Sequence, residues 1–425
     1  MSLLRSSKSF VIVIAISLLV KFVAIFKDRM VGATFGLSAD LDIFYFTLTF
    51  ISIPSSIFLN SVQTAIVPFI ISNFKTSQFS GQIISNIFHK VIKIYILLLS
   101  AWLILGFLVA LLMGVSDGTI GTHSYWIIIN LPHVFLSGWI LIQHGVLQAD
   151  GYSKIVSLLP AILSIVIIVI LEFSSDVGVE SLVYGYTIAV IVEFCIAKRL
   201  ICFGHLPTLS FDESKLEEFW REVRRLCSVF FFLATVPLVD SLIALTLDSG
   251  DLVALTFGGK IPLAINSLIL IGINTVLFPA FSKYGLTKSR TWMKAMYLKY
   301  AVGLAVTLML LVIFGLWFGV LLIKIIFYSG NFDQFAVNRV ASVQAMYFWT
   351  MPFAAVSTLG IKFLVSVNKS QTVANVTKIT VPFNMFVSYF AAVHMGPSGI
   401  ALGTAATFCL SSILMGYSVL TVEND

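Results

Sequence analysis

Apolar stretches succeed one another along almost the whole chain, each close to or above the ~20 residues that carry a helix across a bilayer. They predict helices over 8–27, 42–73, 90–114, 124–148, 154–173 and 180–203, then over 226–247, 252–282, 293–325, 336–366, 370–393 and 396–421. The second, eighth and ninth exceed a simple span and are expected to tilt, bend or project from the membrane. Pro54, Pro132, Pro160, Pro237, Pro352 and Pro382 fall inside these stretches and mark bending points. The fold class that follows is an all-α polytopic membrane protein.

The pattern also repeats. Ser38-Ala-Asp40-Leu41 recurs as Ser249-Gly-Asp251-Leu252, and Thr64-Ala-Ile-Val-Pro68 recurs as Thr275-Val-Leu-Phe-Pro279, both at an offset of 211. Six helices separate the copies, so both run the same way through the membrane. The expected architecture is about 12 transmembrane helices in two six-helix pseudo-symmetric lobes around a central cavity, the plan of parallel-repeat transporters. The lobes are placed at 1–205 and 226–425, joined by a linker over 206–225. In that linker Ser210-Phe-Asp-Glu213 has the form of a capping box. Leu216, Phe219, Trp220, Val223 and Leu226 share one face of the segment after it. It reads either as an amphipathic helix on the cytoplasmic membrane surface or as an extension of the seventh helix.

Composition sharpens the class. Hydrophobic residues make up 59% and charged residues 11%, with mean hydropathy +1.01, against roughly 25% charged in soluble domains. Charge then orients the chain. One set of alternating loops holds Arg5, Lys8, Lys75, Lys90, Lys154, Lys198, Arg199, the run from Lys215 to Arg225, Lys283 to Lys294, and Lys369. The other holds Lys27, Arg29, Lys324 and Arg339. By the positive-inside rule the first set is cytoplasmic, with both termini. These loops account for the net charge of +6, so no nucleic-acid partner is expected. The first apolar run follows Arg5 as a signal peptide would, but without a small-residue cleavage site, and is read as a retained helix. Cys195, Cys202, Cys227 and Cys409 form no C-x-x-C pair and read as small hydrophobes.

Ionisable residues inside a bilayer cost at least ~2.5–3.5 kcal/mol and normally face a polar interior or a partner. Lys21 and Lys260 are expected to face a cavity, whereas Lys378 and Glu193 are expected to snorkel. Asp42 either caps the second helix or lines the cavity, and Asp240 pairs with a neighbouring helix. Lys27 and Arg29 stand at the outer mouth. These cations point to an anionic cargo such as a phosphate ester. His133 and His144 read as satisfied intramembrane histidines rather than metal ligands. No H-E-x-x-H, Walker loop or G-x-S-x-G occurs, and no loop is large enough for a catalytic domain, so no enzyme activity is expected. No cofactor is expected beyond a coupling cation.

Three stretches carry a family resemblance. Lys27-Asp28-x-x-Val31-Gly-x-x-Phe35-Gly36-x-Ser38-x-x-x-Asp42-x-Phe44 resembles the helix-one-to-two signature of the lipid II flippase family, within the multidrug/oligosaccharidyl-lipid/polysaccharide exporter superfamily. Phe257-Gly-Gly-Lys260 with Thr275-x-x-x-Pro279-x-x-Ser282-Lys283 resembles that family's helix eight. Phe327-Tyr-Ser-Gly330-x-Phe332 resembles its segment after helix nine. The resemblance implies a flippase of the bacterial inner membrane. Its partners would be a polyprenyl-diphosphate-linked glycan, membrane lipid and glycan-assembly proteins. It places Lys21, Lys27 and Lys260 where the family has arginines for the diphosphate, and Asp28 and Asp42 at acidic positions. This sequence departs from the family by lysine at all three cationic positions, which loses bidentate phosphate geometry. It departs also by Ser55 and Asn60 where the family has an arginine and a glutamate, by Gly259 in place of an aspartate, and by twelve expected helices rather than the common fourteen. An exopolysaccharide or O-antigen unit therefore fits as cargo as well as lipid II. A cation-coupled multidrug exporter on the same plan would want acidic cavity walls. A glycosyltransferase or polymerase would want a large outer loop with carboxylates. A non-transporting scaffold of cell-wall assembly would tolerate loss of Lys27 and Lys260.

Overall fold

The computed structural model describes residues 2–73, 81–112, 117–149, 152–174, 177–202, 213–273, 277–278, 280–281, 289–367 and 369–422. Residues 210–212 of the capping box, Thr275, Val276 and Pro279 of the repeat, and Ser282-Lys283 lie outside them. The helices are α1 (Ser2–Phe35), α2 (Ala39–Pro54), α3 (Asn60–Asn73), α4 (Gly81–Leu112), α5 (Asp117–Ala149), α6 (Ser153–Leu158), α7 (Ala161–Ser174) and α8 (Glu180–Cys202). They continue with α9 (Glu213–Leu245), α10 (Asp251–Gly272), α11 (Arg290–Phe327), α12 (Gln334–Ser366), α13 (Ser370–Met395) and α14 (Pro397–Thr421). Among the described residues ten helices are long and apolar enough to cross a membrane. The expected helix over 8–27 falls within α1 and that over 226–247 overlaps α9, which ends at Leu245 and contributes the shorter apolar stretch Ala234–Leu245.

Two prolines act as the sequence suggests. Pro54 leads into a π-helical turn, Ser55–Leu59, which bends the long second span between α2 and α3. Side chains occupy carbonyls around this bend: Ser55 Oγ donates to Ser52 O at 2.7 Å, Asn60 Nδ2 to Ser56 O at 3.0 Å and Ser61 Oγ to Ile57 O at 2.6 Å. In hydrocarbon such local bonds replace the water that would otherwise satisfy a distorted helix. Pro160 goes further and separates α6 from α7 at a turn. Pro132, Pro237, Pro352 and Pro382 sit within continuous helices.

The chain divides into two compact units. Unit 1 is Met1–Val31 with Ile43–Leu238, and unit 2 is Gly32–Asp42 with Val239–Asp425. In unit 1, α8 packs on α5 and α7. A core of Phe58, Leu59, Val62, Ile66 and Val91 receives Phe219, Trp220 and Val223 from the first turns of α9. The apolar stripe of the expected linker thus packs on protein at Phe219, Trp220 and Val223, and its segment is continuous with the rest of α9. In unit 2, α12 is central and packs on α10, α11 and α14, and α14 also packs on α13. Outward faces of α4 and α11 stay apolar and exposed, as at Leu97 and Trp317, where lipid would lie.

Candidate functional site

Parts of the three stretches that carry the family resemblance, 32–42, Phe257 and Phe327 to Phe332, converge in unit 2. Phe257 stacks on Phe327 at 5.3 Å between ring centroids, and Phe332 lies 6.1 Å from Phe257 and 5.6 Å from Phe327. All three rings are fully buried, and Gly32 lies against Phe257 and Phe332 with room for no side chain larger than hydrogen without displacing them. The Asn331 amide N donates to Ala33 O at 2.8 Å and its Nδ2 donates to Thr34 O at 2.6 Å. Gly330 adopts φ +54, and a side chain there would collide with the Ala33 carbonyl. Only glycine meets both conditions without strain.

Asp42 belongs to this knot. It lies in the first turn of α2, yet its carboxylate serves another helix. Oδ2 accepts from Gly250 N at 2.5 Å and Oδ1 from Val253 N at 2.8 Å, so it caps the N-terminus of α10. Asp251 beside it accepts from Arg339 Nε at 2.6 Å, and Arg339 reaches Asp248 at 3.2 Å. Arg339, read from the sequence as an outer-loop cation, is therefore committed to an ion-pair network. Both copies of the Ser-x-Asp-Leu repeat open a helix, α2 and α10.

Unit 1 holds Lys21, Lys27 and Asp28. Lys27 Nζ sits 2.8 Å from Asp28 Oδ1, and both side chains are almost wholly buried. The ammonium also lies over the Tyr186 ring of α8 at 5.8 Å from its centroid. Tyr186 is held by Phe44 at 5.4 Å and by His133 at 5.3 Å, and its carbonyl lies 3.2 Å from His133 Nδ1. Lys27 is therefore a buried cation beside a carboxylate and an aromatic wall. Lys21, about two turns earlier on α1, is partly exposed. Lys260 in unit 2 is partly exposed on α10, where Gly259 packs towards Leu263 and Tyr347.

Asp240 meets a neighbouring helix and His144 has a partner, as the sequence suggests, while the buried Gln344, Asn384 and Ser388 escaped the sequence reading. In unit 2 Asp240 of α9 is buried, with Thr404 Oγ1 of α14 at 3.5 Å from Oδ2 and the Ser388 hydroxyl of α13 beside the carboxyl. Gln344 of α12 and Asn384 of α13 are fully buried with both side-chain polar atoms unpartnered. Ser388, one turn after Asn384, is also fully buried. The available signal was Asn384 and Ser388 at i,i+4 within an apolar span. In unit 1 Glu193 of α8 is buried against His144 of α5, Oε1 to Nε2 at 3.3 Å, so Glu193 does not snorkel as expected. Lys378 is exposed, and Lys362 lies over Phe278 at 5.1 Å. Among the described residues no three His, Cys, Asp or Glu side chains gather as a metal cluster.

Residues 31–421 match the family described as lipid II flippase MurJ. The chain belongs to the lipid II flippase MurJ family. A solved lipid II flippase MurJ in an inward closed conformation is similar at TM-score 0.80 and 18% identity, covering 97% of this chain and 88% of that one. An inward-facing multidrug resistance MATE transporter of the MOP superfamily is similar at TM-score 0.69 and 13% identity, covering 97% of each chain. The Vibrio cholerae MATE transporter VcmN in its bent form is similar at TM-score 0.59 and 13% identity, covering 97% of this chain and 98% of that one. At such identities the likeness to these structures concerns the fold. A search of curated proteins by sequence gave no match. Membership in the MurJ family gives the motif knot a plain physical reading: its glycines and phenylalanines fasten the ends of α1 and α11 to α10 inside unit 2.

Proposed function

We propose that this protein carries a polyprenyl-diphosphate-linked sugar precursor from the inner to the outer leaflet of a bacterial inner membrane by alternating access, with both termini cytoplasmic. Lipid II or a comparable exopolysaccharide or O-antigen unit is the cargo. The observation that carries this reading is the buried Lys27–Asp28 pair in a chain of the MurJ family. An ammonium sequestered from water with a single carboxylate is a site where a diphosphate competes by charge. When the cargo enters, its phosphates displace Asp28 from Lys27, and Lys260 and Lys21 add positive charge along the path. The sugars follow through the polar interior and the prenyl tail stays in lipid. Release restores the Lys27–Asp28 contact, which gives the two states different affinities for cargo, the requirement for driving a conformational cycle.

A coupling cation has a fitting location as well. Asp240, buried in unit 2 with Thr404 Oγ1 3.5 Å from its Oδ2, supplies a negative charge with a hydroxyl oxygen beside it. Such an ion would neutralise Asp240. Asp240→Asn should leave flipping measurable while abolishing its dependence on the external alkali cation. A variant whose cation dependence matches the parent removes Asp240 from this role.

The decisive test is leaflet exposure of lipid-linked sugars in cells depleted of the protein and of redundant flippases. Precursor should accumulate on the cytoplasmic side, and a Lys27→Ala/Lys260→Ala copy should restore less than about a tenth of the outer-leaflet signal, the loss expected from removing one charge-assisted phosphate contact or more. Unchanged exposure in depleted cells would overturn the proposal and bring forward a multidrug exporter on the same fold.

A further inference from the structure

Unit 1 contains a cavity of about 580 Å³ between α4, the π turn and the first turns of α9. That volume lies in the range of roughly 300–1,000 Å³ typical of pockets that enclose small ligands. Phe58, Ile94, Leu216 and Val223 make it apolar, and Lys90, Arg224 and Glu217 bring charge to it. All three charged side chains are exposed. The wall is built firmly. Trp220 is buried and lies 5.2 Å from Phe219, and Phe219 in turn lies 5.1 Å from Phe69. Lys90 lays its ammonium over the Trp220 indole at 5.0 Å, which positions one cation at the cavity. The Trp220 Nε1, buried in that wall, finds no acceptor among the described residues.

The surroundings specify the occupant. Beyond Lys90, α4 exposes Ile96, Leu97, Leu98, Ile104 and Leu105, an apolar strip of the kind that faces lipid and leads towards the cavity. The cavity sits at the end of the span that carries the chain's excess of lysine and arginine. An acyl chain lying along α4 thus meets an apolar recess with two cations beside it and one carboxylate. We propose that this cavity binds an anionic phospholipid of the Lys/Arg-rich side, one acyl chain inside and its phosphate held by Lys90 and Arg224. Glu217 opposes the phosphate and keeps the affinity moderate. The lipid pins the first turns of α9 to α4.

The test uses the whole protein in phosphatidylcholine nanodiscs doped with phosphatidylglycerol bearing a photoreactive acyl chain. Cross-linked peptides are mapped by mass spectrometry. Phosphatidylglycerol should label the segments 90–94 and 216–227 about fivefold more than a photoreactive phosphatidylcholine, the preference two surface cations offset by one carboxylate should give. Lys90→Ala/Arg224→Ala should reduce labelling to the phosphatidylcholine level. Lys198→Ala/Arg199→Ala, which removes exposed cations on α8, should leave it unchanged. Glu217→Lys should raise labelling, an arm that does not depend on any loss of fold. Equal labelling by both lipids, or undiminished labelling in the Lys90/Arg224 variant, overturns the proposal. So does displacement of phosphatidylglycerol by equimolar undecaprenyl diphosphate, which would make this a cargo site instead.

Discussion

Asp28→Leu should destabilise the protein by about 3–5 kcal/mol and abolish flipping, because it leaves the buried Lys27 ammonium without a counter-charge among the described residues. Lys27→Met should also destabilise the protein, because it removes the ammonium 2.8 Å from the Asp28 carboxylate. The double variant Lys27→Met/Asp28→Leu should recover most of the lost stability, since replacing both members of a buried pair by apolar groups of similar size is often neutral or stabilising. It should not recover flipping. Thermal melts in detergent separate the stability effects, and precursor exposure at the outer leaflet reads transport. The combination matters: a stable double variant that still flips would show that Lys27 serves only to neutralise Asp28, and the diphosphate reading would fall with it. Lys27→Arg at the same position keeps the charge and supplies the bidentate fork that suits phosphate. It should retain transport wherever the guanidinium fits beside Tyr186, whose ring already lies under the ammonium.

The membrane class and the order of the spans were legible because they depend on local composition alone, and lipid admits few other backbone solutions. What depended on packing was not. Lys27 and Asp28 are neighbours in sequence, and neighbours on a helix do not ordinarily face each other. Their pairing is set with Tyr186, far along the chain, whose ring lies under the ammonium. Gln344, Asn384 and Ser388 were passed over because neutral polar residues scarcely lower the hydropathy of a span, although each is fully buried. The family motif was recognised but its role was not. Gly32, Gly330 and the ring trio Phe257, Phe327 and Phe332 read as a signature of function, and the structure makes them a fastening within unit 2. Helix breaks followed the prolines unevenly: Pro160 ends a helix and Pro54 bends one, while Pro237 and Pro352 are absorbed. Which of these a proline does depends on whether neighbours can satisfy the freed carbonyl, and that is a tertiary property.

Asp42→Ala should lower stability by about 2–3 kcal/mol, the sum expected when two charge-assisted bonds to buried helix-terminal amides are removed. The residue was read from sequence either as a cap of its own helix or as a cavity residue, and the geometry adds a third role. Asp42 stands 211 positions before Val253, the offset of the internal repeat, so the two copies meet at equivalent positions. The α10 terminus cannot compensate by itself. Gly250 at its N-cap has φ +88 and no side chain to cap with, and a Cβ there would lie 2.6 Å from the Leu37 carbonyl. No substitution at Gly250 can therefore supply the missing acceptor. Asp42→Asn keeps one acceptor oxygen and should recover about half of the loss, while Asp42→Glu extends the chain by a methylene into a buried space and should recover less. The measurement is the melting temperature of each variant alongside its flipping rate at a temperature where all remain folded. A fastening role predicts that melting falls in the order Asn, Glu, Ala while flipping by the folded fraction stays near that of the parent. Loss of flipping at unchanged melting temperature would return Asp42 to the cargo path, and the cap would then be incidental to its charge.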